Sequence, residues 1–346
     1  MRRVLALLLG LVAILVPAAP GAHAQSRELT IVGFGGGFQD AARKALFQPF
    51  AASSGIAVRD DTYNGEMARI YAMVRNRDVV WDVVMVEAPE LARGCEDGVF
   101  AKIDWAAMGR ERFIPAGVTE CGVGAVAWGA AVFWDTARTP DGPRSFADFF
   151  DTRRFPGKRA LRAGPKMTLE IALMADGVAP SDVYRVLATK EGQDRAFAVL
   201  DRIRPDLVFW RAGAQPFQLV GSGEVAYATG YTGRVVQANA QGAKLALNWG
   251  TLLYSVDYWA IVQGGPRMAD AARMIRWITE LDPLLELARI WPASPALRAF
   301  GEHADLRAAH PDSVAANAGS GLFIDTDFWV EHGEDLEKRF AAWAAR

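Results

Sequence analysis

The chain has 346 residues, 51% of them hydrophobic, and its 38 Lys and Arg against 40 Asp and Glu leave a formal net charge of -2. That balance offers no basic field for nucleic acid, and the length suits two domains better than a single core. After the N-terminal segment no apolar run is long enough to span a bilayer.

Residues 1–24 read as a cleaved signal peptide. Arg2 and Arg3 precede a Leu/Ala/Val run over residues 4–16, and Ala22-His23-Ala24 supplies a small-x-small cleavage pattern. The run is short for a membrane anchor and is followed at once by Pro17 and Pro20. The expected mature chain therefore begins at Gln25, is exported to the periplasm, and has no nearby Cys for a lipid anchor. Losing Arg2 and Arg3 takes the formal charge from -2 to -4.

Residues 28–34, ELTIVGF, predict a first strand running into Gly35-Gly36-Gly37, and residues 39–54 a helix with a kink or break near Gln48 because of Pro49. The glycines lack the Lys-Ser/Thr of a phosphate loop and the spacing of a dinucleotide fingerprint; they serve either a cleft-facing backbone or a plain tight turn. A second strand over residues 55–60, an amphipathic helix over 65–75 and a buried parallel strand, WDVVMV, over 81–86 follow. Ligands of open α/β sheets bind beyond the carboxyl ends of strands, so Glu87 is either aimed at such an edge or is a solvated loop acid.

Cys95 and Cys121 bracket most of a loop-rich passage. An exported chain with two cysteines pairs them most simply, whereas a nucleophilic Cys needs a His, and the mature chain has only His303, His310 and His332, all near its C-terminus. Residues 125–134, AVAWGAAVFW, predict another strand with a lobe crossover near Gly129, and Ser145 starts a helix whose Phe146, Phe149 and Phe150 face a core. Residues 169–175 are helical in pattern, with Glu170 placed as a partner for the helix dipole. A further helix over residues 193–203, a strand over 208–211, a short helix over 216–221 and a strand over 224–229 complete the middle of the chain.

Residues 221–259 concentrate Tyr231, Arg234, Trp249, Tyr254, Asp257 and Trp259 without any His or Cys. Rings and single charges can grip a small organic molecule but offer little with which to transform one, so this stretch argues for binding over catalysis. Strand alternation sends Ser255, Asp257 and Trp259 to one face. Residues 269–281 predict a helix, Trp291 opens a proline-stiffened loop suited to a cleft wall, and residues 327–345 form a terminal helix. With no Pro/Gly/Ser-rich linker, two α/β lobes joined by chain crossovers are expected.

At WDVV, FADFFDTRRFPGKRAL, GAQPFQL, TGYTGRV and SVDYWAIV the chain resembles the polyamine-type periplasmic solute-binding proteins of ABC importers. The resemblance covers essentially the whole mature chain. It implies the type II two-lobe fold, closing on a ligand by a hinge and delivering it to a membrane permease, as a monomer with no cofactor or metal. Lobe 1 would comprise residues 25–128 and 256–300, lobe 2 residues 129–255, with residues 301–346 packing on lobe 2 as a helical segment. The ligand set so implied is Phe34, Gly36, Gly37, Glu87, Glu170, Tyr231, Asp257 and Trp291.

Departures from the family matter as much. Ser255 stands where polyamine binders place a Trp, Tyr231-Thr232-Gly233 replaces a W-N-G turn, and Arg234 follows it. An Arg beside a cation site repels a polyamine unless it points away or pairs with an acid such as Glu224. A ligand with both an amine and a carboxylate, such as γ-aminobutyrate, suits Arg234 and Asp257 together. The reading from another class is an exported transferase or hydrolase with Cys95 or Cys121 as nucleophile and Glu87 as base; a third keeps the binding fold with a chemoreceptor as partner.

Overall fold

Two periodicities build the architecture. In the computed structural model, which describes residues 28–302 and 304–346, β1 (Glu28–Gly33) sends Leu29 and Ile31 to one core and Val32 to another. The expected leader lies outside the described residues. β2 (Ala57–Thr62) and β3 (Val83–Glu87) flank β1 in parallel, and β3 repeats its division, with Val83 and Met85 on one face and Val84 and Val86 on the other. A strand buried on both faces reads as a continuous apolar run, which is why VVMV was legible as one.

β3 begins two residues later than WDVVMV suggests. Asp82 is buried, accepts a hydrogen bond from the Thr30 backbone N–H at 2.8 Å and pairs with Arg267 at 3.0 Å, while the buried Trp81 lies under the Arg69 guanidinium at 4.1 Å. Both residues serve packing ahead of the strand.

β4 (Gly122–Asp135) and β8 (Leu245–Ile261) are the two long strands, paired antiparallel, with register shifts between Gly124 and Val126 and between Ala130 and Val132. β5 (Arg159–Arg162) pairs in parallel with β6 (Leu207–Trp210) and β7 (Tyr227–Tyr231). The order is β2-β1-β3-β8-β4-β7-β5-β6, with the short β9 (Ser294–Pro295) on β4 and β10 (Leu322–Phe323) on β8.

Two groups of cores cover this sheet. Around β2, β1 and β3, one face packs Trp259 and the helices Met268–Ile278 and Leu281–Ile290, the other Tyr258, Trp81 and Phe100. Around β7, β5 and β6, one face packs the helices Thr168–Ala175 and Lys190–Ile203, the other Trp210, Val220 and Val235. β4 feeds both: Val123 and Ala125 enter the first group, Ala130 and Val132 the second. The change occurs around Gly129, which pairs with Tyr254.

The helical run from Gly36 contains a π turn, Arg43–Phe47, between the α-helices Gly36–Ala42 and Gln48–Ser54. Pro49 has no N–H to donate to the preceding turn, and the widened turn absorbs that mismatch where a kink was expected. Cys95 and Cys121 form a disulfide with Cα atoms 5.7 Å apart, tying the helix Ala88–Glu96 to the start of β4. A loop of this length restricts the unfolded chain by an amount equivalent to about 3 kcal/mol. The terminal helix Thr326–Ala344, capped by Asp325, buries Phe328, Trp329, Leu336, Phe340 and Trp343 in the second group of cores and also lies against Ala88–Glu96. Among the described residues no helix is long and apolar enough to cross a membrane.

Candidate ligand-binding site

A cavity of about 380 Å³ opens where the two groups of cores meet, lined from the turn after β1, the carboxyl ends of β3, β5, β6 and β7, and the middle of β4 and β8. Its volume is at the small end of ligand pockets, roughly 300–1,000 Å³, and so fits a small solute.

The turn after β1 is built by glycine. Gly35 and Gly36 have φ of 69° and 68°, a left-handed conformation that a side chain would strain. A Cβ on Gly36 would also lie 2.8 Å from Nη2 of Arg234, so the guanidinium rests against bare backbone. Arg234 projects from the helix Thr232–Ala240 into the cavity. Among the described residues no acid pairs with it, and Glu224 lies in a separate groove with Asp135 and Arg138. The Arg234–Glu224 alternative therefore does not hold.

Asp257 is 7% exposed, lines the cavity, and among the described residues has no hydrogen-bond partner on Oδ1. Burial raises its pKa well above the usual carboxylate range, and the nearby Glu87 charge pushes the same way; a hydrogen bond from Trp128 works against them. The proximity of the acids follows from register, since Glu87 and Asp257 are directly opposite across β3 and β8.

Glu87 also lines the cavity, but its carboxylate is occupied. Lys166 donates to Oε2 and Arg162 to Oε1 at 3.3 Å. Burial alone would raise the Glu87 pKa; the Lys166 and Arg162 charges outweigh it and hold it down at about 2. Lys166 further reaches Glu90 at 3.6 Å. These pairs join the β3 side of the cavity to the β5 side.

The aromatic wall contains Phe34 stacked on Tyr63 at 5.4 Å, Tyr231 edge-on to Trp128 at 5.6 Å, and Trp291 edge-on to Phe38 at 6.4 Å. Phe34, Gly36, Glu87, Tyr231, Arg234, Asp257 and Trp291 all line this one cavity.

Two expected residues do not line it. Glu170 is fully buried away from the cavity, where its Oε1 accepts hydrogen bonds from Trp329 Nε1 at 2.9 Å and from the Tyr184 hydroxyl at 3.1 Å. Gly37 stands behind the lining, where any side chain would collide with Trp291 and Gln237. Of the aromatic cluster in residues 221–259, Trp259 is core against Phe47, Tyr254 packs on Phe323 at a different groove, and Trp249 does not line the cavity. The disulfide removes the thiolate that the nucleophilic reading needed.

The sequence reading missed Tyr63, Trp128, Arg162 and Arg211. Arg162 and Arg211 were within reach of the rule applied to Glu87: Arg162 ends β5 and Arg211 directly follows β6.

Comparisons with known proteins identify the family and the fold. Residues 45–312 match the family described as bacterial extracellular solute-binding protein. A γ-aminobutyric acid-binding protein of Pseudomonas aeruginosa is 43% identical over 336 residues, covering 95% of this chain and 94% of that one. A solved GABA receptor superposes with a TM-score of 0.82 at 27% identity, covering 92% of this chain and 98% of that chain. An ABC transporter substrate-binding protein from Bradyrhizobium japonicum gives 0.84 at 30% identity, covering 91% and 99%. The MotA binding protein of A. tumefaciens B6, in complex with glucopine, also gives 0.84 at 30%, covering 92% and 99%. These relatives are solute-binding proteins rather than enzymes, and the chain belongs to the bacterial extracellular solute-binding proteins, with their two-lobe α/β fold.

Proposed function

We propose that the protein captures a zwitterionic ω-amino acid, γ-aminobutyrate first among them, and delivers it to the permease of an ABC importer. The observation that carries this reading is one small cavity holding both an acid and a guanidinium left open among the described residues: Asp257, whose Oδ1 has no hydrogen-bond partner, and Arg234, with which no acid pairs. An ammonium completes the first and a carboxylate the second, which a bidentate guanidinium matches well. The names of the relatives point to the same ligand. A polyamine satisfies Asp257 but brings further positive charge against Arg234, Arg211 and Arg162, which argues against it. The lobes would close over the ligand about the β4 and β8 crossing near Gly129 and Ser255.

Calorimetric titration with γ-aminobutyrate and putrescine tests the ligand class. Leaving one member of a buried pair without its partner costs about 3 to 5 kcal/mol, so Asp257→Ala and Arg234→Ala should each weaken γ-aminobutyrate binding by about two orders of magnitude or more. A wild-type protein that binds putrescine alone, with affinity kept or improved in Arg234→Ala, would replace the amino acid by a polyamine.

A further inference from the structure

We propose that Lys166 and Arg162 select the charge type of the ligand by covering Glu87, so that only one of two adjacent cavity acids is free to take an ammonium. This rests on the amino-acid reading above and goes beyond it by assigning the rejection of diamines to two residues that supply no group to the bound amine.

The register sets up the problem that these residues solve. Glu87 and Asp257 are directly opposite on neighbouring strands, so their side chains leave the same face of the sheet and both reach the cavity. Two uncovered carboxylates side by side would favour a ligand with two positive charges, by the same electrostatic complementarity that makes one acid and one guanidinium favour a zwitterion. Each Glu87 oxygen instead has its own cation: Lys166 Nζ on Oε2 and Arg162 Nη2 on Oε1. The pair with Lys166 is largely removed from solvent, with side-chain exposures of 13% for Lys166 and 19% for Glu87, so it is poorly screened.

The connection carrying these cations is itself held in shape. Arg162 ends β5, its carbonyl accepts a hydrogen bond from the Thr168 hydroxyl at 2.8 Å, and Met167, next to Lys166, is fully buried at a φ of 74°. A non-glycine residue kept in that conformation marks a loop whose path is set by its surroundings. Asp257, by contrast, has neither cation within bonding reach and keeps Oδ1 open.

The test is titration of γ-aminobutyrate and putrescine into the mature wild-type protein, Lys166→Met, Arg162→Gln and the double variant Glu87→Gln/Lys166→Met, with thermal melts to confirm folding. Uncovering Glu87 should move the ratio of the two dissociation constants toward putrescine by about tenfold or more in Lys166→Met, and in the same direction in Arg162→Gln. The double variant, which has no acid to uncover, should return the ratio to near the wild-type value. If Lys166→Met weakens both ligands equally, the ion pair only holds the two sides of the cavity together and the proposal falls. It falls too if the double variant keeps the shift. The wild-type titration separates the two readings: failure to bind γ-aminobutyrate there overturns the ligand assignment, whereas normal binding with an unmoved ratio in the variants overturns the role of Lys166 and Arg162 alone. Should Lys166→Met not fold, Arg162→Gln compared with the double variant Glu87→Gln/Arg162→Gln carries the decision: a shift that survives removal of Glu87 comes from loss of the Arg162 charge itself and overturns the proposal.

Discussion

An ammonium arriving at Asp257 meets a carboxyl group that holds its proton more tightly than a free aspartate does, through burial first and the Glu87 charge second, with Glu90 adding and Lys166 opposing. Pairing with a cation favours the ionised form, so binding lowers that pKa and expels a proton in the pH range where the empty site is protonated. The sign follows: affinity for an amine should fall as pH drops through the raised pKa of the empty site. Titrations in mildly acidic buffers of different ionisation enthalpy should give different apparent heats, and Asp257→Asn should abolish the difference. Equal heats for the wild type would mean that the acid is ionised before the ligand arrives. At this scale Asp257 was legible because strand alternation and the resemblance agreed on it. Lys166 was not, because a lysine beside a proline and a glycine looks like any solvated loop until the fold brings Glu87 to it.

Glu170 shows the same limit one level up, where helices rather than single residues are placed. A carboxylate in the first turn of a helix has the same sequence signature whether it faces a ligand or, as here, joins the helices Thr168–Ala175, Val183–Leu187 and Thr326–Ala344 through Tyr184 and Trp329. The deciding partner is 159 positions away in the chain. Burial raises the Glu170 pKa to about 7, with the Tyr184 and Trp329 hydrogen bonds and the Lys166 charge opposing. Because this lies above the unfolded value of roughly 4.3, the folded protein binds the extra proton, and the associated stability is present at low pH and lost as pH rises through about 7. Glu170→Gln keeps an acceptor for Trp329 and Tyr184 but cannot ionise. It should therefore melt higher than wild type near pH 8, show a flatter melting profile between roughly pH 5 and 8, and leave γ-aminobutyrate affinity unchanged. A wild-type slope retained in the variant would assign the titration to another group. The strands were the more legible elements, since the apolar run of β3 and the alternation in β8 report burial directly, while the start of β3 depended on Asp82 finding Arg267.

For the whole molecule, the ion pairs from Glu87 to Lys166 and Arg162 span the two sides of the cavity, and β4 and β8 are the continuous strands beneath them. Closure about Gly129 and Ser255 should reduce the radius of gyration when saturating γ-aminobutyrate is added, as read by small-angle scattering. A curve unaltered by ligand would end the hinge reading. The two-lobe plan was legible as a repetition of strand and helix signals with no linker between them. The lobe boundaries expected at 128/129 and 255/256 fall inside β4 and β8; what the sequence did not show is that these two strands pair with each other along most of β4, because nothing in either segment names its partner.

That pairing also fixes an order in time. β3 and β4 are not neighbours in the sheet; each is bonded to β8, through contacts such as Val83 with Ile261 and Gly122 with Ala260. As the chain emerges from the ribosome, the first 244 residues lack the strand that joins the two parts of the sheet, so β3 and β4 each present an open edge until Leu245–Ile261 follows. Contacts this distant in sequence form late and slowly. A chain that cannot close the seam between β3 and β4 until Leu245–Ile261 is available is therefore expected to complete its fold only after most of its length has been made.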